Sequence, residues 1–418
     1  MSELFGALRK YNSWSGEAIK TGYKRTSYLS KWNKLVGTPL VKVMTGQRRC
    51  GKSYLMRQIM DMLISQGINP MNICYINKEF FEFDRIDTDA GLHGLILEYK
   101  QALNPEGRVY FFLDEIQSVK GWEKVVNSLS QNTVEETEIY ITGSNSTLLS
   151  GELATLLSGR YVSFQVFPFS YSEFIGFHNL ARSRESMVRY LKSGGMPELL
   201  HIADEELRGH YISSLRDTIL LRDIVQRYHI KDAWLLENLF NYLVSQTGRL
   251  ISVNNLVNYF NSQKIKTNHE TISNYIHYLR QSFLIHEAPR YHIKAKEILL
   301  GVKKYYVNDL AYKNYSFSRM ETGLSQHLET MLFLHYLSEG YTIYVGMMPD
   351  KEVDFVIEKG NERQYIQATY MLTDEKVIAR EFGNLEMISD HFPKKVVSLD
   401  DLSIGNRNGI EHICAWEL

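Results

Sequence analysis

The stretch Gly46-Gln47-Arg48-Arg49-Cys50-Gly51-Lys52-Ser53 decides the fold of this chain. It fits the pattern G-x-x-x-x-G-K-[ST], in which glycines let backbone N–H groups close around phosphate oxygens at the start of a helix. A β-prone segment, residues 40–45, precedes the pattern, and residues 54–63 follow it with apolar side chains at helical spacing. Because strand, glycine-rich loop and helix are the context that this loop needs, the sequence predicts binding of a nucleoside triphosphate.

The same pattern assigns chemical roles to individual side chains. Lys52 is expected to reach the β- and γ-phosphates, and the Ser53 hydroxyl is expected to ligate Mg²⁺. ATP and Mg²⁺ are therefore the predicted cofactors. The predicted nucleotide contacts are Gly46, Gln47, Arg48, Arg49, Cys50, Gly51, Lys52, Ser53 and Tyr54.

A second apolar run, residues 108–115, ends in two carboxylates, Asp114 and Glu115. A continuous apolar run is typical of a buried parallel strand, and ligands bind at the carboxyl ends of such strands. We expect Asp114 to hold Mg²⁺ through water and Glu115 to polarise the attacking water during ATP hydrolysis. The alternative is a strand that ends in a solvated acidic turn.

A third strand, residues 138–145, ends in small polar residues that could hold the lytic water or contact the γ-phosphate. With the phosphate loop, the motifs at residues 113–117, 142–145 and 158–161 occur in the order of an AAA+ ATPase core. The chain resembles the prokaryotic AAA+ ATPases of the signal-transducing type, over nearly its whole length. In that family the core precedes a winged helix and a PD-(D/E)xK nuclease-like domain of uncharacterised function.

The resemblance implies an α/β fold: a P-loop NTPase parallel sheet with a helical lid, then a winged helix and a small α/β nuclease-like domain. The domains are expected at residues 1–30 (N-terminal arm), 31–178 (ATPase core), 179–231 (lid), 232–320 (winged helix) and 321–418 (nuclease-like domain).

The resemblance also implies roles for three further residues. Asn145 matches the sensor of the γ-phosphate, and Arg160 matches an arginine that faces the nucleotide of its own chain or of a neighbour. Such an arginine stabilises phosphoryl oxygens, although a salt bridge after a turn is the alternative. Pro197 resembles the proline of the lid that packs near adenine. A plain Gly-Pro break between helices is the other interpretation.

Residues 235–245, 252–260 and 268–280 are predicted helices, and two β-prone runs follow, which is the pattern of a winged helix. Residues 261–304 contain eight basic and three acidic residues in a chain of net charge −1, an excess that indicates phosphate contact. Double-stranded DNA is therefore a predicted partner, although winged helices of such ATPases also serve as lids or protein-docking modules. The predicted DNA contacts are Lys264, Lys266, Ser273, Asn274, His277, Lys294 and Lys296.

The C-terminal part has the order of a PD-(D/E)xK nuclease: a helix with Glu329, a strand with Asp354 and a third strand. An active site would have Glu-x-Lys on the third strand, but this chain has Gln367-Ala368-Thr369. Because one metal ligand and the lysine are missing, we expect weak or absent cleavage. Lys351 or Lys376 could replace that lysine from another position.

The length and composition of the chain limit the classes of protein to which it can belong. The chain has 418 residues, 44% of them hydrophobic, without an apolar run near the roughly 18 residues of a membrane span. Its three scattered cysteines support neither disulfides nor a metal cluster, so we expect a cytoplasmic protein without a membrane partner. The AAA+ resemblance also allows a homo-oligomer. Three functions stay open: an ATP-driven DNA-binding protein, a slow nucleotide switch that docks proteins, and an ATP-gated nuclease.

Overall fold

The computed structural model describes residues 2–149, 152–157, 159–316, 323–349, 351–401 and 403–418. The chain divides into two compact units, Met1–Val166 and Phe167–Leu418. The helices and strands of the first unit are α1 (Glu3–Tyr11), α2 (Thr26–Asn33), β1 (Val41–Thr45), α3 (Lys52–Ser65), β2 (Ile73–Asn77), α4 (Asp89–Leu103), β3 (Val109–Asp114), α5 (Trp122–Ser130), β4 (Thr137–Gly143), α6 (Glu152–Leu157) and β5 (Tyr161–Gln165).

The first unit is built on a five-stranded parallel sheet of order β2-β3-β4-β1-β5. Alternate residues of each strand face opposite sides, so Phe111 packs with α4 and α5 while Phe112 packs with α2 and α3. Because both faces are covered, β1, β2 and β3 are buried at every residue. The α/β fold class predicted from the sequence is confirmed.

The N-terminal segment packs against this sheet. The Trp14 indole donates a hydrogen bond of 2.8 Å to the carbonyl of Ile73, and the Asn12 side chain bonds the backbone of Tyr75. Helix α1 was not predicted from the sequence, although Phe5 and Leu8 lie three residues apart and are both buried. The segment therefore adds to the core of the first unit.

The second unit contains α7 (Tyr171–His178), α8 (Arg184–Ser193), α9 (Glu205–Thr218), α10 (Ala233–Ser245), β6 (Leu250–Ile251), α11 (Val253–Ser262), α12 (His269–Gln281), β7 (Ile285–His292), β8 (Glu297–Val307), α13 (Leu310–Ser316), α14 (Leu324–Ser338), β9 (Thr342–Met348), β10 (Lys351–Lys359), β11 (Glu362–Ala368), α15 (Glu375–Glu386), β12 (Lys394–Ser398), β13 (Asn406–Arg407) and β14 (Ile410–Cys414). A π-helix, Ile219–Gln226, continues directly from α9.

The three helices and the hairpin predicted for a winged helix are present as α10, α11, α12, β7 and β8. Ser252 and Asn268 cap α11 and α12, because their side chains accept hydrogen bonds from the backbone N–H groups of Asn255 and Thr271. Apolar residues of the three helices and the hairpin share one buried cluster.

One sheet of nine strands, of order β13-β14-β12-β11-β10-β9-β7-β8-β6, crosses the boundary expected near residue 320. Strand β7 pairs in parallel with β9, with Tyr291 opposite Gly346. The β7–β8 hairpin and the strands that follow it from β9 onward therefore form a continuous hydrogen-bonded layer. The domain limits expected from the sequence stay a prediction.

Candidate functional site

The phosphate-binding loop connects β1 to α3 and depends on two glycines. Gly46 has a φ of 150°, and a Cβ at this position would lie 2.3 Å from the carbonyl oxygen of Val166. Gly51 precedes the first residue of α3 with a φ of 98°. A side chain at either position would strain the backbone, so the glycines keep the loop close to the helix N-terminus, where anions are favoured.

Lys52 lies at the start of α3 with its ammonium buried among oxygens. Its Nζ donates hydrogen bonds to the carbonyls of Gly46 (3.0 Å) and Gln47 (3.1 Å) and lies 3.3 Å from Oε1 of Glu115. Burial alone would lower the pKa of Lys52, but the charges of Glu115 and Asp114 outweigh it and raise the pKa above its ordinary value. The ammonium therefore stays charged in the loop.

Asp114, the last residue of β3, is fully buried and surrounded by donors. Tyr75 and Asn77 of β2 donate to its Oδ2 at 2.8 and 3.0 Å, and Ser53 also hydrogen-bonds this carboxylate. Burial and the charge of Glu115 raise the pKa of Asp114. The two residues predicted as metal ligands, Ser53 and Asp114, are thus brought together.

Glu115 follows with a φ of 53°, a left-handed conformation that costs energy for a residue with a side chain. The Thr142 hydroxyl fixes this turn, because it accepts from the backbone N–H of Glu115 at 2.9 Å and donates to Asp114. Gln117 donates to Oε2 of Glu115. Burial alone would raise the pKa of Glu115, but Lys52 and Gln117 outweigh it, so its pKa lies below the ordinary value and the side chain is a carboxylate.

Strand β4 lies between β1 and β3, so its polar end reaches the same edge of the sheet as the loop and the two carboxylates. Ser144 and Asn145 are buried there. The Ser144 hydroxyl has no hydrogen-bond partner among the described residues. A buried hydroxyl without a partner is costly, and a phosphoryl oxygen or a water would satisfy it.

These residues fit ATP and Mg²⁺. The glycine backbone would hold the phosphates, Lys52 and Asn145 would face the terminal phosphate, and Ser53 with Asp114 supplies the oxygen ligands that Mg²⁺ prefers. Across the described ranges of the chain, no three His, Cys, Asp or Glu side chains are arranged to hold a metal ion by themselves. A metal would therefore need phosphate oxygens and water as additional ligands.

Other loop residues have their own partners. Arg48 pairs with Glu79, and Tyr54 is 48% exposed with the Arg57 guanidinium 4.7 Å from its ring centroid. Arg49 has a left-handed φ of 67°. Burial raises the pKa of the Cys50 thiol, so it is not a reactive thiolate.

Arg160 is not brought to the phosphate loop. It precedes β5, and its carbonyl accepts from the N–H of Val41 at the amino end of β1. The phosphate loop follows the carboxyl end of β1. Because β1 has five residues, its two ends are about 16 Å apart. Its guanidinium donates to the Leu157 carbonyl and to Asn127 instead. A role on the nucleotide of its own chain is therefore not supported, and a role on a neighbour stays a prediction.

Pro197 belongs to the second unit, where it begins the 3₁₀ helix Pro197–His201. The preceding Gly195 donates its N–H to Asp309 at 2.8 Å, and a Cβ on Gly195 would lie 2.1 Å from the Phe169 carbonyl oxygen. The turn is thus held by tight packing. Its contact with adenine stays a prediction.

The residues predicted to contact DNA lie on α12, on the turn before it and on the hairpin. Six are exposed and Ser273 is half-buried; the exposed ones are Lys264, Lys266, Asn274, His277, Lys294 and Lys296. Part of the local positive charge is neutralised, because Glu287 pairs with both Arg280 (3.1 Å) and Lys303 (3.0 Å). The exposed lysines remain available for phosphates.

Lys304 contradicts the expectation from the charge count, because it is 3% exposed and unavailable to DNA. Its Nζ lies 2.9 Å from Glu329, 2.5 Å from Glu352 and 3.8 Å from Asp354. The acids expected in a degenerate nuclease site therefore surround an ammonium of the chain itself. Lys351 and Lys376, considered as substitutes for the missing lysine, are exposed.

Glu329 and Asp354 also accept hydrogen bonds from other residues of the second unit, whereas Gln367 does not have all its polar atoms paired. Tyr306 donates to Glu329 at 2.8 Å, and the Ala368 N–H donates to Asp354 at 2.8 Å. Burial and the charge of Glu329 raise the pKa of Asp354 to about 8. Gln367 is buried, and its Oε1 has no hydrogen-bond partner in the part of the chain that the structure describes.

Several residues of these sites were not predicted from the sequence. Tyr75 and Asn77 share one face of β2 at the strand end, and Glu352 shares a face with Asp354, so the period of two could have indicated them. Gln117 lies within the motif at residues 113–117, which assigned it no role, and Lys304 had no comparable signal.

The family described as "AAA domain" matches residues 38–175, and a domain of unknown function (DUF8612) matches residues 184–322. An uncharacterized protein of Haemophilus influenzae is 35% identical over 405 residues, covering 96% of this chain and 99% of that protein. An uncharacterized protein of Methanocaldococcus jannaschii is 29% identical, covering 86% and 82%. The chain contains an AAA domain and belongs to the family of the Haemophilus influenzae protein.

Among solved structures, Cdc6p of Pyrobaculum aerophilum covers 70% of this chain and 92% of its own, at 13% identity and a TM-score of 0.32. RuvB of Thermotoga maritima, a Holliday junction branch migration motor, covers 71% and 94% at 16% identity and the same TM-score. At these values neither likeness supports a functional conclusion. No helix within the described ranges combines the length and apolarity needed to cross a membrane.

Proposed function

We propose that this protein is a Mg²⁺-dependent ATPase whose nucleotide state is coupled to the binding of duplex DNA by α12 and the β7–β8 hairpin. The observation that supports it best is the convergence of Lys52, Ser53, Asp114 and Glu115 at the carboxyl edge of the first sheet. The AAA domain match supports the same class of activity.

In the proposed reaction, water attacks the γ-phosphorus of ATP and the bond to the β,γ-bridging oxygen breaks. Lys52 is positioned for the charge on the phosphoryl oxygens, and Glu115 orients the water and accepts its proton. Mg²⁺ would supply charge neutralisation between the phosphates. In the present arrangement Oε1 of Glu115 lies against Lys52 and Oε2 accepts from Gln117, so both oxygens already have a donor that restrains the carboxylate.

That restraint on Glu115 favours a second candidate, a slow nucleotide switch that docks protein partners. The winged helix would then present a protein surface in place of a DNA surface. The two candidates differ in whether duplex DNA changes ATP turnover.

DNA contact is tested by substituting Lys294 and Lys296 with alanine. Each lysine that leaves a phosphate is expected to reduce the slope of log affinity against log salt by about 1, with a uniform loss of affinity across sequences. Fluorescence anisotropy of a labelled duplex at several salt concentrations measures both quantities.

The matched control is Lys376→Ala, since Lys376 is an exposed lysine on α15, outside the winged helix. It should leave the salt slope unchanged. An unchanged slope in the Lys294→Ala, Lys296→Ala double variant would contradict DNA contact by the hairpin and favour the protein-docking candidate.

A further inference from the structure

A cavity of about 430 Å³ opens on the surface of the second unit between α10 and α11. Aromatic and amide side chains dominate its wall, and its lining contains no acidic residue. The aromatic and amide residues of the wall include Trp234, Asn238, Asn241, Tyr242, Tyr259 and Gln263. The volume is sufficient for one nucleotide, and none of these residues was assigned a role above.

The aromatic part of the wall is open to solvent. Trp234 is 58% exposed and Tyr259 42% exposed, whereas the other four tryptophans are at most 8% exposed. Tyr242 packs on Tyr259, with ring centroids 4.6 Å apart, and so supports it. Exposed aromatic faces held by their neighbours provide stacking surfaces at low entropic cost.

The amide part of the wall has unused hydrogen-bonding capacity. Oδ1 of Asn241 is buried and has no hydrogen-bond partner among the described residues. Asn238 is oriented by its own bond, in which Nδ2 donates to the Trp234 carbonyl at 2.7 Å. A buried acceptor without a donor is costly, so the cavity favours a ligand that carries N–H groups on a flat ring.

Positive charge borders the same cavity. Lys264 and Lys266 flank the lining residue Ile265 in the turn after α11, and both are exposed. Aromatic faces, edge amides and neighbouring lysines together match the base, the base edge and the phosphates of an unstacked nucleotide.

We propose that this cavity binds an unpaired base of single-stranded DNA, stacked on Trp234, with Lys264 and Lys266 on the adjoining phosphates. An aromatic peptide would use the same stacking face but would leave the two lysines without counter-charges. The site adds a second DNA ligand to the proposed function and does not depend on ATP hydrolysis.

The test uses Trp234 as its own reporter. Titration of the full-length protein with a dT oligonucleotide of about 15 nucleotides should quench tryptophan fluorescence, because a stacked base contacts the exposed indole. Trp234→Ala should abolish the quenching and weaken dT binding about tenfold by anisotropy, as expected for the loss of one stacked base. The Lys264→Ala, Lys266→Ala double variant should lower the salt slope.

The controls separate this site from the duplex site. Trp416→Phe removes a buried tryptophan and Leu207→Ala removes an exposed apolar residue of α9; both should leave dT affinity unchanged. Lys294→Ala with Lys296→Ala should weaken duplex binding and keep the dT quenching. Absence of quenching, unchanged dT affinity of Trp234→Ala, or quenching by an aromatic peptide alone would overturn the proposal.

Discussion

The Glu115→Gln variant is expected to bind ATP about as tightly as the wild type and to hydrolyse it at least ~100-fold more slowly, the usual size of a general-base contribution. An amide can keep the hydrogen bond to Gln117 and the shape of the turn, but it cannot accept a proton from water. The substitution leaves Lys52 and the glycines of the loop in place, so ATP binding should not be weakened.

Single-turnover hydrolysis and equilibrium binding of a fluorescent ATP analogue separate the two effects. Glu106→Gln is the matched control, since Glu106 is an exposed glutamate of the first unit. Glu106→Gln should change neither the single-turnover rate of hydrolysis nor the affinity for the ATP analogue. A Glu115→Gln variant with an unchanged single-turnover rate would remove Glu115 from the reaction.

The Lys304→Met variant is expected to lower the free energy of unfolding by about 3–5 kcal/mol, because the acidic side chains of Glu329, Glu352 and Asp354 then lose the cation that they share. Lys304 of β8 pairs with Glu329 of α14. It also pairs with Glu352 and Asp354 of β10, so it connects three elements of the second unit. Denaturant unfolding followed by circular dichroism measures the effect.

Lys303→Met is the control on the neighbouring position of the strand. Its pair with Glu287 is partly solvated, so its loss should cost less than ~1 kcal/mol. Addition of Glu329→Gln to Lys304→Met should restore part of the lost stability, because it removes one of the uncompensated charges. Equal losses for Lys303→Met and Lys304→Met would contradict the central position given to Lys304.

The sequence predicted the features whose cause is local. The phosphate loop, the carboxylates at the end of β3 and the polar end of β4 each follow from a short pattern, and parallel strands necessarily bring their carboxyl ends to one edge. Helices α10, α11 and α12 were predicted for the same reason, since caps such as Ser252 and Asn268 act within one turn.

The features that were missed depend on pairings between distant residues. Lys304 has the local pattern of an exposed hairpin lysine, and only the position of Glu329, on a helix later in the chain, shows that it is buried. The parallel pairing of β7 with β9 has no signal in either strand alone. Arg160 fits a short motif, but its position at the amino edge of the sheet follows from the register of β5 against β1.

Steady-state ATP hydrolysis by the full-length protein, with and without duplex DNA, tests the central claim most directly. We predict a Mg²⁺-dependent rate that duplex DNA increases, that Lys52→Ala abolishes, and that Lys34→Ala, which removes an exposed lysine of the same unit, leaves intact. Hydrolysis that persists in Lys52→Ala would contradict the nucleotide site. A Lys52-dependent rate that ignores duplex DNA would contradict the coupling and leave the nucleotide switch as the account of this protein.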